Sequence, residues 1–275
     1  MNKIFKVVWS KTKECYVVVS EVAKNNGGKK KVLASVLAGL AMVGAGAVGT
    51  PVQAAYSDSG SAINISPNAK PGNSVSTNSV VVGYQNDSTG GPSNENGKII
   101  YGANNTANRE SSLAIGNQNT ASNKSTSAIG VGNTASGEAS VALGNTNTAS
   151  GDRSIAIGSG ALANQGAAIA IGRQAEATGS SAVAVGYVNK AKKNVAVALG
   201  VNNDVDGEES TAVGSSNTIA TNANQASVIG RKNKVNRAGS FVGGFSNVTN
   251  GERNVAVGSE NTTTGEDSIG IGTKV

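Results

Sequence analysis

Apolar and polar residues alternate in short stretches that recur every fourteen residues along most of this chain. The recurring phrase is close to Ser-x-Ala-x-Gly. Branched aliphatic residues usually stand three and one positions before its glycine, as Ile155 and Ile157 stand before Gly158, and a small residue such as Ala156 separates them. Alternation over five residues with β-branched side chains predicts a strand with one aliphatic face and one Ser/Ala face.

The glycines of this phrase keep a fixed register, which predicts a repeat fold whose turns contact only their neighbours. Two extra residues follow the copy at Gly214, and a looser first copy ends at Gly83, five residues out of step. The other phrase glycines are Gly102, Gly116, Gly130, Gly144, Gly158, Gly172, Gly186, Gly200, Gly230, Gly244, Gly258 and Gly272. A perimeter of roughly 46 Å, at about 3.3 Å per residue, allows two short strands and two tight turns. We therefore expect an all-β parallel β-roll, a β-solenoid of about fourteen coils over residues 78–272.

The second half of each repeat has a pattern of its own. Asparagine usually stands three residues after the phrase glycine, as at Asn133, and a second glycine, such as Gly137, often stands seven residues after it. The asparagines could form an inward amide ladder along the roll or could stand in turns. The second glycine predicts a turn whose backbone other residues adopt poorly.

The direction of the strand faces decides which residues could form an interface. Strand alternation leads us to expect Ile155, Ile157, Ile169 and Ile171 inside the roll. One thin roll buries few large side chains, so we expect an oligomer in which the flat Ser/Ala face is buried against partner chains. A solvated Ser/Ala face is the alternative. The expected interface residues are Ser140, Ala142, Ser154, Ala156, Ala170, Ala184, Ala198 and Ala212.

The N-terminal 54 residues differ from the rest of the chain. Three lysines at 29–31, the apolar run 32–48 and the small residues around Ala54 are typical of a secretory signal, with cleavage expected after Ala54 or one residue later. A membrane anchor is the alternative interpretation. Eight of the 23 basic residues and two of the 17 acidic residues lie in this segment, which leaves 15 of each beyond it. The basic pI of 9.4 is therefore no evidence for nucleic-acid binding.

Two sets of motifs resemble one family. The start MNKIFKVVW with YVVVSE at 16–21 resembles the extended signal peptide region of very large Gram-negative autotransporters. The phrases NSVVVG (78–83), SSLAIG (111–116), RSIAIG (153–158), SAVAVG (181–186) and NVAVG (254–258) resemble the head repeat of YadA-like trimeric autotransporter adhesins.

This resemblance implies a left-handed roll, a homotrimer, and a bacterial surface adhesin involved in virulence. It would attach to host extracellular matrix proteins, cells or surface glycans and would self-associate. The domains expected are an extended signal peptide at 1–54, a flexible or cap-like lead-in at 55–77 and the adhesin head at 78–275. The sequence contains no coiled-coil heptads and no alternating ten-residue amphipathic segments of the kind that build a membrane barrel. We therefore expect export through the inner membrane and display at the outer membrane only through a C-terminal region outside this sequence. Secretion or a periplasmic location is expected if the chain ends at Val275.

The residue types favour binding over catalysis. The chain has no histidine and its one cysteine lies in the signal region, so we expect no enzyme activity, cofactor or metal. Asp204, Asp206, Glu208 and Glu209 are interpreted as a solvated acidic edge. Two basic coils are candidate contacts for polyanions such as heparin-like glycans, with solvated turns as the alternative. They consist of Lys190, Lys192 and Lys193, and of Arg231, Lys232, Lys234 and Arg237. A purely structural surface spacer or a truncated fragment is the alternative to an adhesin head, and an ice-binding solenoid is disfavoured because regular Thr-x-Thr ranks are missing.

Overall fold

The structure, a computed structural model, describes residues 5–10, 15–20, 53–57, 62–66, 73, 75–76, 78–91 and 96–275. The chain divides into two compact units, Met1–Pro51 and Val52–Val275. In the first unit, β1 (Phe5–Ser10) and β2 (Cys15–Ser20) form an antiparallel hairpin. The apolar run 32–48 of the predicted signal lies outside the described residues. Within the described part of the chain, no helix is long and apolar enough to cross a membrane.

The second unit is an all-β parallel solenoid of about fourteen turns, and its described residues contain no helix. The chain passes alternately through a long strand, usually of five residues, and a short strand of two. The long strands form a 16-stranded sheet, and the short strands form a 12-stranded sheet. The long-strand sheet consists of β3 (Gln53–Ser57), β4 (Ala62–Ser66), β5 (Ser79–Tyr84), β6 (Lys98–Ala103), β8 (Leu113–Asn117), β10 (Ser127–Val131), β12 (Val141–Asn145), β14 (Ile155–Ser159), β16 (Ile169–Arg173), β18 (Val183–Tyr187), β20 (Val197–Val201), β22 (Thr211–Ser215), β24 (Ser227–Arg231), β26 (Phe241–Phe245), β28 (Val255–Ser259) and β30 (Ile269–Thr273). The short-strand sheet consists of β7 (Thr106–Ala107), β9 (Thr120–Ala121), β11 (Thr134–Ala135), β13 (Thr148–Ala149), β15 (Leu162–Ala163), β17 (Glu176–Ala177), β19 (Lys190–Ala191), β21 (Asp204–Val205), β23 (Thr218–Ile219), β25 (Lys234–Val235), β27 (Val248–Thr249) and β29 (Thr262–Thr263).

The register of the long-strand sheet follows the fourteen-residue repeat. β10 pairs with β12 so that Gly130 stands opposite Gly144, and β12 pairs with β14 so that Gly144 stands opposite Gly158. The same registration continues across the two-residue insertion, where Gly214 stands opposite Gly230. The prediction of a parallel β-roll with stacked repeat glycines is therefore confirmed.

The N-terminal end of the long-strand sheet lies in the segment interpreted as a lead-in. β3 contains Ala54, the expected last residue of the signal, and pairs antiparallel with β4. β4 in turn pairs in parallel with β5, so these two strands extend the sheet beyond the boundary expected at residue 78. Residues 58–61, 67–72, 74 and 77 of the lead-in lie outside the described part of the chain.

The side chains of the long strands point the opposite way to the prediction. The eight residues expected at a partner interface are fully buried inside a single roll, where no partner chain can reach them. They are Ser140, Ala142, Ser154, Ala156, Ala170, Ala184, Ala198 and Ala212. Ile155, Ile157, Ile169 and Ile171, which were expected inside, lie on the outer face and are only partly covered. The expected assignment of the two faces is therefore wrong.

The width of the roll explains this inversion. The interior of each coil receives side chains from both sheets at once, and in the coil that contains β13 and β14 these are Asn147, Ala149, Ser154 and Ala156. All four are small, and in such a coil the close packing of two sheets joined by turns of a few residues leaves little room for larger side chains. Other coils bury one larger residue at a single position, such as Ile100 or Ile219. In the coils with alanine and serine at the inward positions, the isoleucines therefore stand on the outside.

An asparagine ladder runs along the interior of the roll from coil to coil. Of the two alternatives for these asparagines, an inward ladder or positions in turns, the structure shows the ladder. The Asn133 amide donates from Nδ2 to Asn119 Oδ1 at 2.9 Å, to Ile129 O at 2.9 Å and to Gly144 O at 2.8 Å. Its Oδ1 accepts from the backbone N–H and the Nδ2 of Asn147. The ladder members are Asn86, Asn105, Asn119, Asn133, Asn147, Asn189, Asn203, Asn217, Asn233, Asn247 and Asn261, with Ala161 and Ala175 replacing two of them.

The turns obtain their left-handed backbone from residues other than the half-period glycines. Gly137 and Gly151 have no positive φ, so the expectation of an unusual backbone there is wrong. What they provide is close approach, because a Cβ on Gly137 would lie 2.0 Å from Gly151 O in the next coil. The positive-φ turn positions are mostly filled by residues with side chains, such as Gln118 and Ser125.

Candidate binding surfaces

The outer face of the long-strand sheet is largely apolar, with polar residues such as Ser127 and Arg173 at some positions. Each long strand directs outward the residues three and one positions before the glycine and the residue after it. In the described residues, most of the large apolar side chains with high exposure lie on this face, for example Ile229 at 55%. They are Ile99, Tyr101, Val131, Leu143, Tyr187, Val201, Ile229, Phe241, Phe245, Ile269 and Ile271. This surface is called here the aliphatic face. Its apolar side chains stay in contact with water unless another apolar surface covers them.

Sequence reasoning missed the aliphatic face although the repeats contain a signal for it. The outward position three before the glycine holds Ser127, Thr211 and Ser227 in some coils and Phe241 in another. The inward position next to it is alanine in most coils and always apolar. A column that accepts both serine and phenylalanine is typical of a surface, whereas a column that holds only apolar residues, most of them alanine, indicates an interior.

The outer face of the short-strand sheet is polar. Thr106, Thr120, Thr134 and Thr148 stand in one column on successive short strands. Farther along the same column, Glu176 and Lys190 form an ion pair with Nζ 3.1 Å from Oε1. This face is therefore mostly a ladder of hydroxyl and charged groups, with Leu162 and Val248 as apolar members of the same column.

The first candidate basic coil is neutralised by neighbouring carboxylates. Lys190 pairs with Glu176 as described. Lys192 Nζ lies 2.6 Å from Asp204 Oδ1, an ionic contact without hydrogen-bond geometry, and Lys193 Nζ lies 3.8 Å from Asp206 Oδ1. Each lysine is thus matched by an acid one coil away, so this coil offers an anionic ligand little net attraction.

The predicted acidic edge is divided among several contacts. Besides its ion pair, Asp206 Oδ2 accepts a hydrogen bond from Thr221 Oγ1 at 2.6 Å. Glu208 accepts from Asn194 Nδ2 and Glu209 from Gln225 Nε2, both at 3.1 Å. Within the residues that the structure describes, no three His, Cys, Asp or Glu side chains converge in a way that could hold a metal ion.

The second candidate basic coil has no such neutralisation. Arg231, Lys232, Lys234 and Arg237 are all exposed, and in the described part of the chain none forms an ion pair. The guanidinium of Arg231 lies 5.9 Å from the centre of the Phe245 ring, a cation–π contact at the rim of the aliphatic face. This coil therefore keeps its positive charge.

A separate charged cluster lies near the C-terminal end of the described roll. Arg253 Nε lies 2.6 Å from Asp267 Oδ1, and its Nη2 lies 3.0 Å from Oδ2. The hydrogen bond from Arg253 lowers the pKa of Asp267, and the same bond raises the pKa of Arg253. Because the pKa of Asp267 is lowered in the folded state, this pair stabilises the fold at pH values above the ordinary aspartate pKa. The stabilisation is lost as the pH falls through the lowered pKa. It is small because both side chains are exposed.

Two family models match the chain. The extended signal peptide of the type V secretion system matches residues 1–50. The YadA head domain repeat matches at 102–119, 110–133, 121–146, 135–161, 163–188 and 195–217, all within the solenoid. A comparison with curated proteins found no match. The first match indicates export through the inner membrane, and the second covers most of the solenoid between residues 102 and 217.

Proposed function

We propose that this chain, which belongs to the YadA-like trimeric autotransporter adhesins, is an adhesin head that binds host extracellular matrix or cells. The observation that carries the proposal is the coincidence of the YadA head repeat with the solenoid, behind an extended signal peptide. The role is one of binding, without catalysis. The head is displayed at the bacterial surface and also mediates self-association between cells.

The head is a homotrimer whose subunits pack through their aliphatic faces. Fourteen long strands stacked at about 4.8 Å give a face on the order of 65 Å long. A largely apolar surface that runs the length of the roll is typical of an interaction site. Three left-handed rolls placed side by side would cover it, and would leave the polar short-strand sheets facing water.

The adhesive surface is the repeated exterior of this trimer. Each coil presents similar groups about every 4.8 Å, so an extended partner can make many weak contacts whose combined strength comes from multiplicity. This arrangement supports attachment to fibrous matrix proteins or to surface glycans rather than recognition of a small molecule in a pocket.

The trimer is tested by two glutamate variants, one on the outer face of the long-strand sheet and one on its inner face. Ile157→Glu combined with Ile171→Glu places charges on the aliphatic face and should yield a folded monomer by analytical ultracentrifugation. Ala156→Glu places a charge in the interior and should unfold the roll, because an unpaired buried charge is costly. If the double isoleucine variant sediments like the parent trimer, the aliphatic face is not the interface.

The adhesin function is tested by attachment of the exported chain to immobilised matrix proteins, glycans and cultured cells. We expect the parent trimer to bind at least one of these surfaces and the monomeric isoleucine variant to bind more weakly, since multiplicity is lost. A parent trimer that attaches to none of them would contradict the adhesin and favour a structural spacer.

A further inference from the structure

The second basic coil lies in a stretch of the roll that has basic residues and no acidic ones. Residues 210–251 contain Arg231, Lys232, Lys234 and Arg237 and no aspartate or glutamate. Because successive coils stack directly on each other, the coils before and after this one supply no carboxylate at these positions. The positive potential of this coil is therefore not cancelled by its immediate neighbours in the stack.

Three of these cations lie along the part of the coil that leaves the aliphatic face. Lys232 occupies a turn with φ 58°, Lys234 begins β25 on the outside of the short-strand sheet, and Arg237 lies beyond that strand. At about 3.3 Å per residue, the Cα atoms of Lys232 and Lys234 are at most about 7 Å apart. Those of Lys234 and Arg237 are at most about 10 Å apart. The charges thus form a row across the roll rather than a pocket, and they remain exposed when the aliphatic face is covered.

Uncharged hydrogen-bonding groups border this row. Asn236 donates from Nδ2 to Asn250 Oδ1 at 2.6 Å, which holds two exposed amides together on adjacent coils. Thr218 stands beside Lys234 on the neighbouring short strand. Hydroxyl and amide groups next to separated cations suit a ligand that alternates anionic and hydroxyl groups along an extended chain.

We propose that Lys232, Lys234 and Arg237 form a binding row for a sulfated polysaccharide of the glycosaminoglycan type. The inference rests on the proposed adhesin function, since export places the row outside the inner membrane, where such polymers are encountered. It distinguishes the two basic coils of the chain: the row around Lys234 binds, whereas the coil around Lys190 is occupied by its own acids. Trimer formation presents three copies of the row and strengthens retention by multiplicity.

The test compares two variants that each remove three positive charges. One carries Lys232→Gln, Lys234→Gln and Arg237→Gln; the matched control carries Lys190→Gln, Lys192→Gln and Lys193→Gln. Glutamine suits the position of Lys232 because Gln118 and Gln174 occupy the equivalent turn with similar φ. Circular dichroism and sedimentation establish that each exported variant folds and assembles like the parent.

Binding to heparin is then measured at several salt concentrations. We expect the parent and the Lys190 control to bind similarly, and the Lys232 variant to lose about tenfold or more in affinity. The parent's affinity should fall as salt rises, because bound cations of the polymer are released on association. Equal weakening of both variants, or no weakening of either, would overturn the proposal, as would equally tight binding of double-stranded DNA.

A separate readout distinguishes this inference from the adhesin function. Attachment to cultured cells is compared before and after enzymatic removal of heparan sulfate. The proposal is supported if removal of heparan sulfate lowers attachment of the parent, and if the Lys232 variant attaches to untreated cells as weakly as the parent attaches to treated cells. Unchanged attachment in both comparisons would refute the glycan proposal while the adhesin function stands, whereas the adhesin function fails only if the parent attaches to no cell or matrix.

Discussion

Gly130 shows what a single residue of the stack must satisfy. Its φ is 121°, and a Cβ at this position would lie 2.0 Å from Gly144 O in the next coil. Both the backbone conformation and the space therefore require glycine, which is why the phrase glycine returns in every coil. The sequence alone identified this column, because only a fixed steric demand produces a glycine at every repeat.

Substituting alanine at two glycines separates this demand from a general preference for glycine. Gly130→Ala should lower the free energy of unfolding by about 4 kcal/mol or more, since backbone must move in two coils. Gly166→Ala is the control, because Gly166 has no positive φ and a Cβ added there would meet nothing within 4 Å. Urea unfolding should place the control at or slightly above the parent. Comparable losses at both sites would contradict the stacking constraint.

Ser154 carries a buried hydroxyl that the fold does not use. Its Oγ has no hydrogen-bond partner in the roll interior, whereas Ser210 Oγ, in the same column, donates to Ala223 O at 2.9 Å and accepts from Ala226 N. Ser154→Ala should raise the free energy of unfolding by about 1 kcal/mol, and Ser210→Ala should lower it by about the same amount. Thermal or urea unfolding of the two variants checks this, and shifts of the same sign would refute it.

At the scale of the strand, the fourteen-residue pattern predicted the elements and their register but not the direction of their faces. Alternation of large and small apolar residues is compatible with either face being inside, because both Ile155 and Ala156 are apolar. Which face of the strand points into the roll depends on the distance between the two sheets. That distance is a property of the whole coil and not of one strand. The mixed column containing Ser127 and Phe241 was the available signal.

The asparagine ladder could be proposed but not decided from sequence. Its interruption at Ala161 and Ala175 is where its contribution can be measured. In a complete coil the amide reaches the glycine carbonyl of the next coil, as Asn133 reaches Gly144 O. The two alanines supply no such donor, although the Ala161 N–H still donates to Asn147 Oδ1 at 2.8 Å.

Completing the ladder should therefore stabilise the roll. Ala161→Asn combined with Ala175→Asn is expected to raise the free energy of unfolding by about 1–2 kcal/mol, through new buried amide hydrogen bonds. Ala161→Val combined with Ala175→Val adds bulk without an amide and should give no gain. Urea unfolding of both double variants decides the matter, and a gain for the valine pair alone would show that filling space is what stabilises this region.

At the scale of the whole molecule, a solenoid is held together by contacts between neighbouring coils. Its stability is then close to a sum of coil and interface contributions, and whole repeats can be removed without changing the fold. The sequence predicted this modular architecture from its period. It could not show that the coils differ in strength, because that depends on which interior hydrogen bonds are formed.

Deleting two coils in different places tests this sum. Removal of residues 159–186 joins Gly158 to Tyr187, so that Asn189 stacks on Asn147 and the ladder becomes continuous. Removal of 117–144 is the control: it takes out the same length but deletes two ladder asparagines and keeps the gap. Both shortened chains should retain the circular dichroism of a β-solenoid, since each coil contacts only its neighbours. The first deletion should unfold at a higher urea concentration, with an advantage of about 1–3 kcal/mol from the amide bonds that it keeps and restores. Equal stability of the two would show that the ladder contributes nothing beyond the packing of the coil, and collapse of either chain would show that the repeats do not act as independent units.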